Sequence, residues 1–125
     1  MTAPAKTARS LDDLVAAGAL PRATADDSDL RAVSERYAVA VTPAVLASMR
    51  SPDPAVDPVA RQYIPTAEEA TIAPEELGDP IGDHAFSPVK GIVHRYPDRV
   101  LLKTLHACPV YCRFCFRREQ VGPGG

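Results

Sequence analysis

Over the first half of the chain, apolar residues recur at helical spacing. Leu11, Leu14 and Val15 share one face of a short helix predicted over Leu11–Ala19, with Ser10 as its cap and Asp13 at the third helical position. Gly18 weakens its end, and Pro21 stops anything further. Leu30, Val33, Tyr37 and Val41 mark a second helix over Asp27–Val41, with Asp26, Asp27 and Asp29 at the positive end of its dipole. Thr42–Pro43 pairs a cap with proline at the first helical position and opens a third helix to Met49. Residues 1–9 are polar and are predicted to be disordered.

From Ser51 the periodicity is lost. Pro52, Pro54, Pro58 and Pro65 leave room only for a short helix after Asp57. Thr66 with Glu69 can cap another turn or two. Pro74, Gly78, Pro80 and Gly82 then punctuate an acidic connector that reaches Pro88 and reads as a solvated linker. After Lys90 the pattern becomes strand-like. Gly91–His94 is short and apolar, Tyr96-Pro97-Asp98-Arg99 is a turn, and Val100–Leu105 suits a buried strand. Arg113–Arg118 is expected to begin a helix. The chain thus divides into a helical, proline-rich extension over 1–90 and an α/β unit over 91–125.

Composition tempers the expected core. Of the 46% hydrophobic residues, 20 are alanine, and Leu, Ile, Val and Phe together number 28 of 125, so a large, well-packed interior is not expected. A net charge of −2 argues against nucleic acid and anionic membranes as partners. No signal peptide or transmembrane run stands out, and the cytoplasm is the expected compartment.

The chemistry is concentrated between His94 and Arg118, HRYPDRVLLKTLHACPVYCRFCFRR. All three cysteines lie there, at Cys108, Cys112 and Cys115. Thiols spaced so closely are predicted to be metal ligands facing one point. A four-iron four-sulfur cluster held by three cysteines keeps one iron free to bind a substrate or cofactor. Other readings are a zinc site completed by His106 or His94, and a set of unligated thiols. Disulfides fit poorly, because the cysteine count is odd and the loop is short. Arg95, Arg99, Arg113, Arg117 and Arg118 crowd the motif, with Asp98 and Glu119 the nearby acids in sequence. Their guanidinium forks suit a phosphate or a carboxylate; the plainer alternative is solvated arginines or an ion pair with Asp98. His94 and His106 read as structural hydrogen-bonders and Tyr111 as packing.

CPVYCRFC matches the C-x3-C-x2-C signature of radical S-adenosylmethionine (SAM) enzymes, with Phe114 before the third cysteine. GIVHRYPDRVLLK before it and FRRE after it closely resemble the lysine 2,3-aminomutase group, from about Asp79 to Gly125. The resemblance implies a partial (β/α)6 barrel whose first strand and cluster loop lie in 91–125, with the upstream residues wrapped around its outside. It implies a 4Fe-4S cluster on Cys108, Cys112 and Cys115, SAM against Phe114, and pyridoxal phosphate near Arg95, Tyr96 and Arg99. Arg117 corresponds to an arginine near the substrate carboxylate. The implied reaction cleaves SAM to a 5′-deoxyadenosyl radical and moves the amino group of lysine from C2 to C3. An electron donor such as flavodoxin or ferredoxin is implied as partner, and a homo-oligomer is allowed at full length.

Phe116 and Glu119 stand where the lysine enzymes more often have threonine and a third arginine. Phe116 is closer to the branch that makes β-lysine for elongation factor P, and a glutamate 2,3-aminomutase is a further alternative. None of Lys6, Lys90 or Lys103 matches the family's pyridoxal-phosphate lysine, which with the substrate-ammonium acids is expected beyond Gly125. The chain is therefore expected to be a fragment, inactive alone. A non-catalytic iron–sulfur or zinc-binding module is the alternative of another class.

Overall fold

The computed structural model describes residues 6–122. Five short α-helices, α1 (Leu11–Ala16), α2 (Arg22–Ala25), α3 (Ser28–Arg36), α4 (Pro43–Ser48) and α5 (Pro58–Tyr63), precede two 3-10 turns and a two-stranded antiparallel hairpin, β1 (Ile92–Tyr96) and β2 (Arg99–Leu102). The architecture is mixed helix with a small sheet, and no closed barrel is present among the described residues.

Side chains that cap the backbone set most helix starts. Ser10 Oγ accepts Asp13 N at 3.0 Å, Asp27 takes both Asp29 N and Leu30 N at 2.9 Å, and Thr42 accepts Val45 N. Gly18, at φ 72°, ends α1 in the left-handed region that favours glycine, and Ala19 N reaches back to Leu14 O at 2.8 Å. Asp57 is buried at the head of α5 and accepts from Arg50 N, Ser51 N, Val59 N and Ala60 N. Those bonds, Ala60 N foremost, hold its carboxyl below the ordinary 3.8.

The structure corrects several boundaries. The second helix stops at Arg36, where Tyr37 turns extended (φ −118°, ψ 115°). Val39, Val41 and Thr42 are β-branched and Pro43 disfavours helix before it, so residues 38–41 run as a strand-like ledge. Ala8 pairs with Val41 by reciprocal 2.9 Å hydrogen bonds and is buried. The expectation of disorder thus fails at Ala8, while residues 1–5 lie outside the described range. Helix α2 was not anticipated. The 113–118 segment forms turns instead of a helix: Arg113 and Arg117 would share a helix face, yet they are drawn to separate acids. Strand β2, expected to be buried, is exposed along its whole length, because no described residue covers its face.

A core does form, and it is built from residues 8–64: Leu11, Leu14, Leu20, Leu30, Val41 and Ile64 enclose small alanines such as Ala25 and Ala60. The connector is not wholly solvated either, since Asp83 is 2% exposed. No helix among the described residues is long and apolar enough to cross a membrane.

Candidate metal centre

The hairpin delivers the cysteine loop. Gly91, at φ 88°, closes its base, with Lys103 N donating to Gly91 O at 2.7 Å. The positive φ favours glycine there, and a Cβ at Gly91 would lie a tight 3.3 Å from Lys103 O. The chain then crosses to the helical half: Tyr111 N donates to Ala40 O at 3.0 Å and Arg113 N to Gln62 O at 2.7 Å. Hydrogen bonds therefore cross the division expected at residue 90. Tyr111 is buried, as its packing role required.

Cys108 and Cys112 are exposed and Cys115 is half-buried, all as free thiols. Cys115 N donates to Cys112 O at 3.3 Å, and Arg117 N donates to Cys115 Sγ at 3.4 Å. Three cysteine sulfurs are a donor set that suits a soft metal centre. The residue chemistry fits an iron–sulfur group. Among the described residues, however, no three Cys, His, Asp or Glu side chains are gathered for a metal ion, so the expected convergence of the sulfurs is not present. His106 joins no such group, and among the described residues its buried Nδ1 has no hydrogen-bond partner. His94 is exposed.

The arginines are organised by acids distant in sequence. Asp83 accepts Arg117 Nε at 3.1 Å and Arg95 Nη2 at 3.3 Å. Arg95 also donates to Ile81 O at 2.6 Å and lies over the Phe86 ring. Asp83 is itself positioned by Asp79, whose carboxylate accepts Asp83 N and His84 N; the bond from His84 N is the main cause of a pKa below 3.8. Arg99 stacks on Tyr96 and lies 3.7 Å from Asp98. Together Arg95, Tyr96, Arg99, Arg117 and the buried Asp83 line a hollow of about 440 Å3. The structure thus brings these four predicted residues together. Phe114 is elsewhere, 72% exposed over a separate cleft shared with Glu69 and Arg113.

Asp83 and Glu69 were missed by reading the motif locally. Glu69 forms a two-bond fork with the buried Arg113, and Glu119 accepts Tyr37 Oη at 2.9 Å. Burial, then that hydrogen bond, raises the Tyr37 phenol above 10.0. The signal available was charge: five arginines against two local acids leave at least three guanidiniums that only remote carboxylates can pair one to one.

No family model matches the chain. Among curated proteins it is 48% identical over 84 residues to L-lysine 2,3-aminomutase of Clostridium subterminale, and 38% identical over 122 residues to that of Bacillus subtilis. These matches cover 67% and 94% of the chain. The chain belongs to the lysine 2,3-aminomutase family. It spans 20% and 25% of the length of those two aminomutases. Glutamate 2,3-aminomutase of Clostridioides difficile is also similar, 34% identical over 93 residues, or 74% of the chain and 22% of that protein. Aminomutases of more than one substrate are therefore among its relatives.

Proposed function

We propose that this chain supplies the cluster-binding segment of a SAM- and pyridoxal-phosphate-dependent aminomutase that converts L-lysine to β-lysine. The observation that carries the reading is membership of this family, supported by three free thiols in one loop and by an arginine-lined hollow that includes Arg117, whose N donates to Cys115 Sγ. On this reading residues 91–125 are the first strand and loop of a partial (β/α)6 barrel. The protein works in the cytoplasm with a flavodoxin- or ferredoxin-type electron donor.

Cys108, Cys112 and Cys115 hold the iron, and Phe114 lies against SAM. Arg95, Tyr96 and Arg99 grip the phosphate of pyridoxal phosphate, and Arg117 takes the substrate carboxylate. When bound, the cluster with SAM supplies a hydrogen-abstracting radical and pyridoxal phosphate supplies the carrier for the migrating nitrogen. The residues on this chain bind and orient. Asp83 occupies Nε and Nη2 of Arg117 and Nη2 of Arg95; among the described residues no hydrogen bond uses Nη1 of either, which leaves donors for an incoming oxyanion. Asp83 also offsets one of the two positive charges, so the hollow keeps a net attraction for anions without two bare guanidiniums side by side.

A second substrate, glutamate, is favoured by the similarity to glutamate 2,3-aminomutase. The test is electron paramagnetic resonance of the anaerobically reconstituted, reduced chain with and without SAM. An open iron gives a spectrum that changes on adding SAM. A spectrum indifferent to SAM would instead identify an electron-carrier module with a filled fourth site.

A further inference from the structure

We propose that Glu69 is a positioning residue for the cysteine loop, holding Arg113 inward so that Cys112 and Phe114 are turned outward. The proposal rests on the reading of the cysteines as metal ligands. Tyr111 and Arg113 are 6% and 7% exposed, whereas Cys112 and Phe114, which alternate with them, are open to solvent. Arg113 and Phe114 form the middle of a turn that Cys115 N closes on Cys112 O at 3.3 Å, so Cys112 enters this turn directly from Tyr111. With Tyr111 and Arg113 both held against the helical half, Cys112 between them and Phe114 at the tip of the turn are left on the solvent side. The main chain is tied to the same half through Tyr111 N to Ala40 O and Arg113 N to Gln62 O.

Of the two inner side chains, Arg113 is the one that needs an explanation. A guanidinium does not stay buried without a counter-charge and filled donors. Glu69, 44 residues away in sequence, supplies the charge: Arg113 Nε donates to Oε1 at 3.0 Å and Nη2 to Oε2 at 2.8 Å. Nη1 is taken by Ala38 O at 3.1 Å. The paired fork fixes the plane of the guanidinium as well as its place. Glu69 is aimed in turn by Thr66 N, which donates to Oε1 at 3.1 Å. Glu69 acts on the cysteines through Arg113, whose own backbone lies next to Cys112.

The experiment is hydrogen exchange by mass spectrometry on the full chain, as wild type, Glu69→Gln and Arg113→Lys. Glu69→Gln removes the charge at constant shape, and Arg113→Lys keeps the charge without the fork, so the second variant serves if the first does not fold. Exchange at residues 111–113 is expected to quicken about tenfold in Glu69→Gln and less in Arg113→Lys, while the α1 amides of Leu14 and Val15 stay as in wild type. Unchanged exchange in the loop overturns the proposal. Equal acceleration in α1 also overturns it, because Glu69 would then only stabilise the whole fold. After loading with iron and sulfide, a chelator should strip iron several-fold faster from Glu69→Gln; equal release overturns the link to the metal. If the wild type takes up no iron, the metal reading fails, and the exchange comparison still decides whether Glu69 positions the loop.

Discussion

Arg117 Nη2 lies 3.0 Å from Oδ2 of Asp83, a carboxylate whose side chain is only 3% exposed. One buried acid therefore neutralises the arginine expected to meet a substrate and, through its other oxygen, steadies Arg95. Replacing Asp83 by asparagine leaves two guanidiniums facing an amide. We expect Asp83→Asn to cost about 1–3 kcal/mol, below the range for a fully buried pair because both arginines are partly solvated. Urea denaturation of the two proteins measures it; equal midpoints would show that the arginines find water instead.

Cluster formation should depend on each thiol. Anaerobic reconstitution with iron and sulfide is expected to give a four-iron chromophore, absent when Cys108, Cys112 or Cys115 is changed to alanine. Stoichiometric, tight zinc without iron–sulfur absorption would sink the iron assignment and return His106 to consideration.

Stability should fall in acid. Asp13, Asp57 and Asp79 all have carboxyls held below the ordinary 3.8, in each case chiefly by a backbone N–H. A lowered folded pKa gives stability that is present above the unfolded value and is lost as pH falls through the folded one. The loss should begin near 3.8 and continue below it. Thermal melts between about pH 6 and pH 2 test this, with Asp57→Asn flattening the acid limb. A melting temperature independent of pH across that range would contradict it.

Unfolding should be uneven. The buried cluster is drawn from residues 8–64, whereas β2 is exposed throughout. Residues 92–102 are expected to exchange amide hydrogens early while Leu14 and Val33 remain protected. A single sharp transition reported identically by both regions would mean that the hairpin is held by the core after all.

Local chemistry made the helix starts legible. Ser10, Thr42, Asp57 and the Thr66–Glu69 pair each satisfy backbone donors within three residues, so their pattern appears in the sequence itself. The gathering of Arg95, Tyr96, Arg99 and Arg117 around one hollow follows from their closeness in the motif, whereas the expected convergence of the three sulfurs is not present among the described residues. Helix α3 is shorter than its apolar spacing predicts: Tyr37 and Val41 continue the spacing, but the β-branched run before Pro43 decides the backbone. Asp83 and Glu69 were hidden because their partners lie 34 and 44 residues away, and no local pattern marks which acid meets which arginine. The exposure of β2 was equally invisible, since an apolar run specifies that a face seeks cover and not whether cover is present.

The bond from Tyr37 Oη to Glu119 spans 82 residues, and that from Arg113 to Ala38 O spans 75. During synthesis the carbonyls of Ala38 and Ala40 must wait, beside already formed helices, until residues beyond 110 leave the ribosome. The helical half therefore matures first and alone, with a vacant ledge along one side. Arrival of the cysteine segment is a late docking event with a large loop to close, slow by its topology. On the proposed reading of the cysteines, a metal delivered before that docking meets a loop not yet tied to the helical half, and one delivered after it meets a loop pinned at Tyr111 and Arg113.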